Sequence, residues 1–209
     1  DKKLDDSYEV FTRSIYEVMF PQYLKPFPAS SVVSFEDINK IKTLTELHFI
    51  PRSTILKAKS VRGVQCEYAT SYDTAIMPIA LQSVHFKTHP TAQMHVNHNA
   101  TLSFVFDIFN KSHRLLEQQH LPIYLDAISH FPLQVLDHIF RKGTHFSIKA
   151  GQESYDIANP FSLMGFDEAD GILPLDQHTH HAYRLLMEYF CFPEKFNFLK
   201  LNLNAISHL

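Results

Sequence analysis

The sequence predicts an α+β fold, in which a mainly antiparallel β-sandwich-like domain carries an N-terminal amphipathic helix and two further helices. In three segments the apolar residues recur at helical spacing. Most of the segments between them are short, rich in β-branched and aromatic residues, and separated by turn or proline positions. Hydrophobic residues make up 45% of the 209 residues, which is enough for a substantial core.

The first predicted helix covers residues 4–20. Its large apolar side chains lie three or four residues apart and form one stripe: Leu4, Tyr8, Phe11, Ile15 and Met19. Pro21 then ends the helix. A stripe of this width is unfavourable in water, so we expect the helix to pack on the β-rich domain or on a second chain, with Phe11 as a core or interface residue.

We predict an N-terminal helical arm over residues 1–30 and a β-rich domain over residues 31–209. Strands are expected at 31–35, 46–50, 53–58, 64–70, 79–87, 101–109 and 121–127. The clearest alternation is in 101–109, where one face carries Leu102, Phe104, Phe106 and Ile108.

An inserted helix is predicted at 132–143, with Pro132 in its first turn and Gly143 at its C-terminal cap. A strand at 144–150 follows it. The acidic residues beyond that strand are expected to form a loop with room for a short strand.

The last helix is predicted at 182–191, within the apolar stretch YRLLMEYFCFPEKFNFLKL. Pro193 lacks an N–H group and disfavours helix at Phe192, so the helix should end there. One face of the helix is expected to be core and contains Tyr183, Leu186, Met187 and Phe190.

The tail after this helix has two possible roles. The apolar residues of 192–201, including Phe192 and Phe196, either continue the core or lead toward a partner. Glu194 and Lys195 are expected at the bend beside Pro193, with their charges in water.

Composition excludes several functions. A net charge of −3 and a pI of about 6.5 are not those of a typical nucleic-acid binder. No signal peptide, membrane span, nucleophile motif or glycine-rich phosphate loop is found. Cys66 and Cys191 have no redox-motif or zinc-ribbon spacing, so we expect two reduced thiols in a cytoplasmic protein, with Cys191 in the core.

The 14 histidines leave one enzymatic alternative open. His178 and His180 are two residues apart and could hold one metal ion if they lay on a strand, as in a cupin-like β-sandwich enzyme. Other histidines, His95 and His98, lie near His85 and His89. Because the HTHH segment has the composition of a loop, solvent-exposed histidines are the favoured interpretation, and no metal or cofactor is predicted.

Three segments together are distinctive. They are KLDDSYEVFTRSIYEVMFPQYLKPFPASSVVSF at 3–35, IPRSTILKAKSVRGVQCEYATSYDTAIMPIAL at 50–81, and AYRLLMEYFCFPEKFNFLKL at 182–201. In content, order and spacing they resemble the TssF family of type VI secretion baseplate proteins, also called VasA or ImpG. Chains of that family are much longer, so the resemblance implies a piece from the N-terminal half.

The resemblance implies a structural role without catalytic residues. TssF proteins assemble with TssG, TssK, TssE and a second TssF copy in the wedges of a cytoplasmic baseplate. That baseplate is anchored at the inner membrane and nucleates a contractile sheath and its inner tube.

Overall fold

The computed structural model describes residues 2–24, 26–35, 37–89, 100–110, 120–127, 130–174 and 180–205. Its class is α+β, which confirms the prediction. The chain divides into two compact units: unit 1 comprises residues 1–32 and 163–198, and unit 2 comprises residues 33–162 and 199–209. The predicted division into an arm, 1–30, and a domain, 31–209, stays a prediction.

The described residues contain four α-helices: α1 Lys2–Met19, α2 Ile38–Thr43, α3 Phe131–Asp137 and α4 His181–Cys191. The three predicted helices are confirmed. Pro132 lies in the first turn of α3, which continues as a π-helical turn through His138–Lys142. Gly143 follows with a φ of −67°, which any residue adopts, so the backbone does not require glycine there. The lack of space does, because a Cβ would lie 2.5 Å from the Ile139 carbonyl oxygen.

The strands of the described residues are β1 His48–Ile50, β2 Ile55–Lys57, β3 Glu67–Ala69, β4 Thr74–Ile76, β5 Ile79–Thr88, β6 Ala100–Ile108, β7 His120–Tyr124, β8 Phe146–Ala150, β9 Glu153–Ile157, β10 Phe161–Leu163 and β11 Phe198–Asn202. Four antiparallel pairs form: β1 with β4, β2 with β3, β5 with β6, and β8 with β9. A further sheet has the order β10–β11–β7.

The longest pair, β5 with β6, sets Val84 opposite Phe104 and Phe86 opposite Leu102. Along β6 the predicted alternation is confirmed, because Leu102, Phe104, Phe106 and Ile108 are half-buried while Ser103, Val105 and Asp107 are exposed. Of these, Leu102, Phe106 and Ile108 pack on the core of unit 2. Its buried members are Met77, Ile79, Ile123, Leu136, Ile139, Leu199, Leu201 and Leu203.

Several elements differ from the prediction. The strand expected at 31–35 is absent from the described chain, where this segment pairs with no other strand and precedes α2. Helix α2 is capped by Asp37, the residue before it, whose carboxylate accepts a hydrogen bond from the Lys40 amide at 3.4 Å. The acidic region expected as loop contains β9 and β10, and Gly151, with a φ of +61°, lies in the tight turn between β8 and β9.

Candidate interaction surface

Helix α4 exposes its apolar face. Tyr183, Leu186 and Phe190, which the sequence predicted to be core, are all exposed, and Phe190 retains 78% of its accessible surface. That prediction is wrong for these three side chains. The buried positions of α4 are charged instead: Arg184 and Glu188, four residues apart on the opposite face.

Glu188 is the centre of a buried polar cluster and is 0% exposed. Its Oε1 accepts hydrogen bonds from two backbone amides of the preceding loop, Ile172 N at 2.8 Å and Leu173 N at 3.0 Å. Its Oε2 accepts a hydrogen bond from Lys195 Nζ. Glu188 therefore joins α4 to the loop before it and to the segment after it.

Arg184 fixes the other side of the same loop. Its Nη2 donates to the Glu168 carbonyl oxygen at 2.6 Å, and its Nη1 lies 3.5 Å from the Leu173 carbonyl oxygen. His181 Nδ1 is 3.0 Å from Nη2, and His181 Nε2 is 3.0 Å from the Phe166 carbonyl oxygen. These distances fit the His181 tautomer that donates from Nε2 and accepts at Nδ1.

A glycine makes room for the guanidinium group. A Cβ at Gly171 would lie 2.1 Å from Arg184 Cζ, so no larger residue fits without moving one of them. The φ of Gly171 is −66°, which any residue adopts, and space alone therefore requires the glycine. Gly165 has a φ of +98°, and its amide donates to the buried carboxylate of Asp170 at 2.7 Å.

The position of Lys195 differs from the prediction made for it. The sequence placed its charge in water beside Glu194, but only Glu194 is exposed; Lys195 is buried and paired with Glu188. Pro193 ends the helix as predicted and begins a 3₁₀ turn, Pro193–Phe196, which directs Lys195 back toward α4.

The energetics of α4 are unusual. Burying one large apolar side chain contributes about 1.5–3 kcal/mol, so the exposed face of α4 forgoes several such contributions. The buried face instead carries charges, whose desolvation costs several kcal/mol per ion unless they are paired and hydrogen-bonded. The contacts to loop amides and carbonyls meet that requirement, except that within the described residues Arg184 Nε makes no hydrogen bond and lies 3.9 Å from Glu188 Oε1.

Phe196 confirms the core interpretation of the tail. It is 1% exposed, and its ring centroid lies 5.0 Å from that of Phe166 and 5.6 Å from that of Tyr189. Leu199 and Leu201 of β11 are buried in unit 2, while Phe192 is half-buried. Phe190 lies at the edge of this aromatic group, 5.6 Å from Tyr189.

The stripe of α1 is also exposed. Phe11 is 63% exposed, and Tyr8, Ile15 and Met19 are exposed as well. The packing of α1, on the β-rich domain or on a second chain, stays a prediction.

The metal hypothesis gains no support from the described residues. No cluster of three or more His, Cys, Asp or Glu side chains that could hold a metal ion occurs among them. His180 caps α4, because its Nδ1 accepts a hydrogen bond from Ala182 N at 3.1 Å. His85 and His89 contact the hydroxyls of Ser83 and Thr101. His178, His95 and His98 lie outside the described residues.

The cysteines differ in part from expectation. Cys66 and Cys191 are unbridged, and both are exposed, so the core placement of Cys191 was wrong. Their reduced state stays a prediction. Among the helices that the structure describes, none combines the length and apolar character needed to cross a bilayer.

The buried cluster was missed by sequence reasoning, although a signal exists. Arg184 and Glu188 have the i, i+4 spacing of a helical ion pair, but such pairs are usually solvated. Lys195 follows a proline that turns the chain back, and only the fold shows that it reaches Glu188.

Exposed apolar helix faces of this kind are typical of a subunit that is completed by other proteins. The chain matches the family described as "Type VI secretion system, TssF" over residues 1–208, and therefore belongs to the TssF family.

Two relatives agree with this assignment. The type VI secretion system component TssF1 of Pseudomonas aeruginosa PAO1 is 24% identical over 96% of this chain and 34% of its own length. A chain in a cryo-electron microscopy structure of the type VI secretion system TssK-TssF-TssG baseplate subcomplex has a TM-score of 0.79 at 23% identity and shares this fold over 96% of this chain. The match covers 38% of that chain, so the present chain spans about a third of the length of these relatives.

Proposed function

We propose that this chain is a structural component of a type VI secretion baseplate and that it acts by binding other subunits, without catalysis. Membership of the TssF family supports the assignment. The single structural observation that carries it is the uncharged exposed face of α4, formed by Tyr183, Leu186 and Phe190. An apolar face of this kind is unfavourable in water and favourable in an interface.

TssG and TssK are the first partners to propose, because the chain that shares this fold belongs to a TssK-TssF-TssG baseplate subcomplex. TssE and a second TssF copy are further partners that the family resemblance implies. The same resemblance suggests a cytoplasmic location at an inner-membrane-anchored baseplate.

As part of the same proposal, the chain has no catalytic activity of its own. The described histidines that the sequence singled out are engaged in helix capping and in hydroxyl contacts. Elemental analysis of the purified chain tests this point. Stoichiometric zinc, iron or manganese lost on replacing His178 and His180 would favour the cupin-like alternative.

The binding proposal is tested by pull-down of the chain with TssG and with TssK separately. Phe190→Asp should weaken capture by at least one of them about tenfold or more, because a carboxylate cannot be buried in an apolar contact. The matched control is Phe86→Asp, since Phe86 is a similarly exposed phenylalanine, on β5 of unit 2. Equal capture of both variants and wild type by both partners would show that the α4 face does not carry the binding.

A further inference from the structure

Helix α4 has its charged side chains inside and its apolar side chains outside, the reverse of an ordinary surface helix. The hydrophobic effect alone would favour a rotation of the helix that buries Tyr183, Leu186 and Phe190. Something specific must therefore hold the observed rotation.

We propose that Arg184, Glu188 and Lys195 form an orientation device, which fixes the rotation of α4 about its axis so that its apolar face points outward. The three side chains are almost completely buried, and together they bond α4 to the loop before it and to the segment after it. Glu188 accepts from the amides of Ile172 and Leu173, and Arg184 donates to the Glu168 carbonyl oxygen.

These contacts are directional, so only one rotation of the helix satisfies them together. Turning α4 by half a turn would move Glu188 away from the loop amides and from Lys195 Nζ, leaving the lysine buried without its carboxylate. Gly171 adds to this specificity, since the space left by its missing side chain admits the Arg184 guanidinium.

Stability alone does not explain the cluster. Apolar residues of similar volume in place of a buried ion pair often leave a protein equally stable or more stable. Buried polar groups can instead select one arrangement among several, as a single buried asparagine does in coiled coils. In α4 the arrangement selected is the one that keeps an apolar face available.

The experiment measures the accessibility of the outward face in the isolated chain, so its outcome does not depend on any partner or on the proposed function. A reporter variant carries Leu186→Cys with Cys191→Ser, and the exposed Cys66 of unit 2 is the internal reference. Thiol labelling is followed at each site by peptide mass spectrometry. With the charged cluster intact, the reporter and Cys66 should label within about threefold of each other, because both sites are exposed.

Two variants of the cluster are then compared in the reporter background. Glu188→Met with Lys195→Met removes the ion pair, and the triple variant adds Arg184→Leu. In both, labelling of the reporter relative to Cys66 should fall, at least tenfold in the triple variant, as the helix turns its apolar face inward. Glu194→Leu, which adds an apolar residue at an exposed neighbouring position, should leave the ratio unchanged.

Two results would overturn the proposal. One is a cooperatively folded double or triple variant whose labelling ratio equals that of the intact cluster. The other is loss of cooperative unfolding in both variants, which would show that the charges are required for the fold itself. If only the triple variant fails to fold, the double variant decides.

Discussion

The buried carboxylate of Glu188 connects several parts of unit 1. Glu188 accepts hydrogen bonds from two loop amides and from Lys195, and it lies on the helix that carries the exposed face. Replacing Glu188 therefore removes contacts of α4 with the loop amides and with Lys195. The aromatic side chains around Phe196 are the apolar counterpart of this cluster, and they link the same helix to the segment after Pro193.

Glu188→Ala should lower the free energy of unfolding by about 3–5 kcal/mol, because Lys195 remains buried without its carboxylate and two amides lose their acceptor. Urea unfolding monitored by circular dichroism measures this. Glu194→Ala is the control, and as an exposed residue it should change stability by about 0.5 kcal/mol or less. Equal stability of Glu188→Ala and wild type would show that this cluster is not formed as described.

Gly171→Ala should destabilise the chain by about 1–3 kcal/mol, because its Cβ would overlap the Arg184 guanidinium and force one of them to move. The thermal midpoint checks this. Asp167→Ala, an exposed position on the same loop, should have little effect. A Gly171→Ala midpoint equal to wild type would mean that Arg184 occupies another position in solution.

Phe196→Ala and Phe190→Ala should differ sharply. Phe196 is buried, and its truncation should cost about 3–5 kcal/mol. Phe190 is mostly exposed, so its truncation should change the melting temperature of the chain little while weakening partner binding. Calorimetry of both variants beside a pull-down with TssG and TssK provides the comparison, and equal destabilisation by both would contradict the exposed placement of Phe190.

At the scale of whole elements, periodicity predicted what local sequence determines. Helices α1, α3 and α4 follow from apolar spacing, proline and capping signals, and β6 follows from its alternation. Periodicity did not show which face of α4 is buried, because that depends on a loop distant in sequence from Arg184 and on a lysine beyond a proline. Short elements such as α2, β4 and β10 were missed because an element of so few residues is too short to show a periodic pattern.

Helix α1 gives a prediction at this scale. Phe11→Asp should leave the thermal midpoint of the isolated chain within about 1–2 °C of wild type, since the side chain is exposed, but should reduce association with partner subunits or with a second copy. Light scattering coupled to size exclusion, together with the pull-down, measures both effects. Arg13→Ala, which removes an exposed side chain that pairs with Glu17 at 3.3 Å in the same helix, is the control. A large loss of thermal stability in Phe11→Asp would instead indicate that α1 packs within the chain.

At the scale of the molecule, the charge balance and the exposed side chains favour apolar contacts as the basis of the proposed assembly. The net charge of −3 is small for 209 residues, and both α1 and α4 expose several large apolar side chains. The family resemblance predicted that the chain belongs to an assembly. The amino-acid pattern alone predicted neither which apolar residues are exposed nor which contacts keep them at the surface. Both depend on tertiary contacts that composition does not contain.

Assembly through apolar faces has a measurable signature. Salt screens charge–charge attraction over a Debye length of about 10 Å at ~0.1 M and about 3 Å at ~1 M, but it does not weaken apolar burial. The affinity of the chain for a partner captured through the proposed α4 face should therefore change less than about threefold between roughly 0.1 M and 0.5 M salt. Leu186→Lys should weaken binding at every salt concentration, because the lysine must be desolvated in the contact. Isothermal titration calorimetry across this range measures both, and a loss of affinity of tenfold or more with salt in the wild-type chain would show that charged side chains, not the face formed by Tyr183, Leu186 and Phe190, dominate the interface.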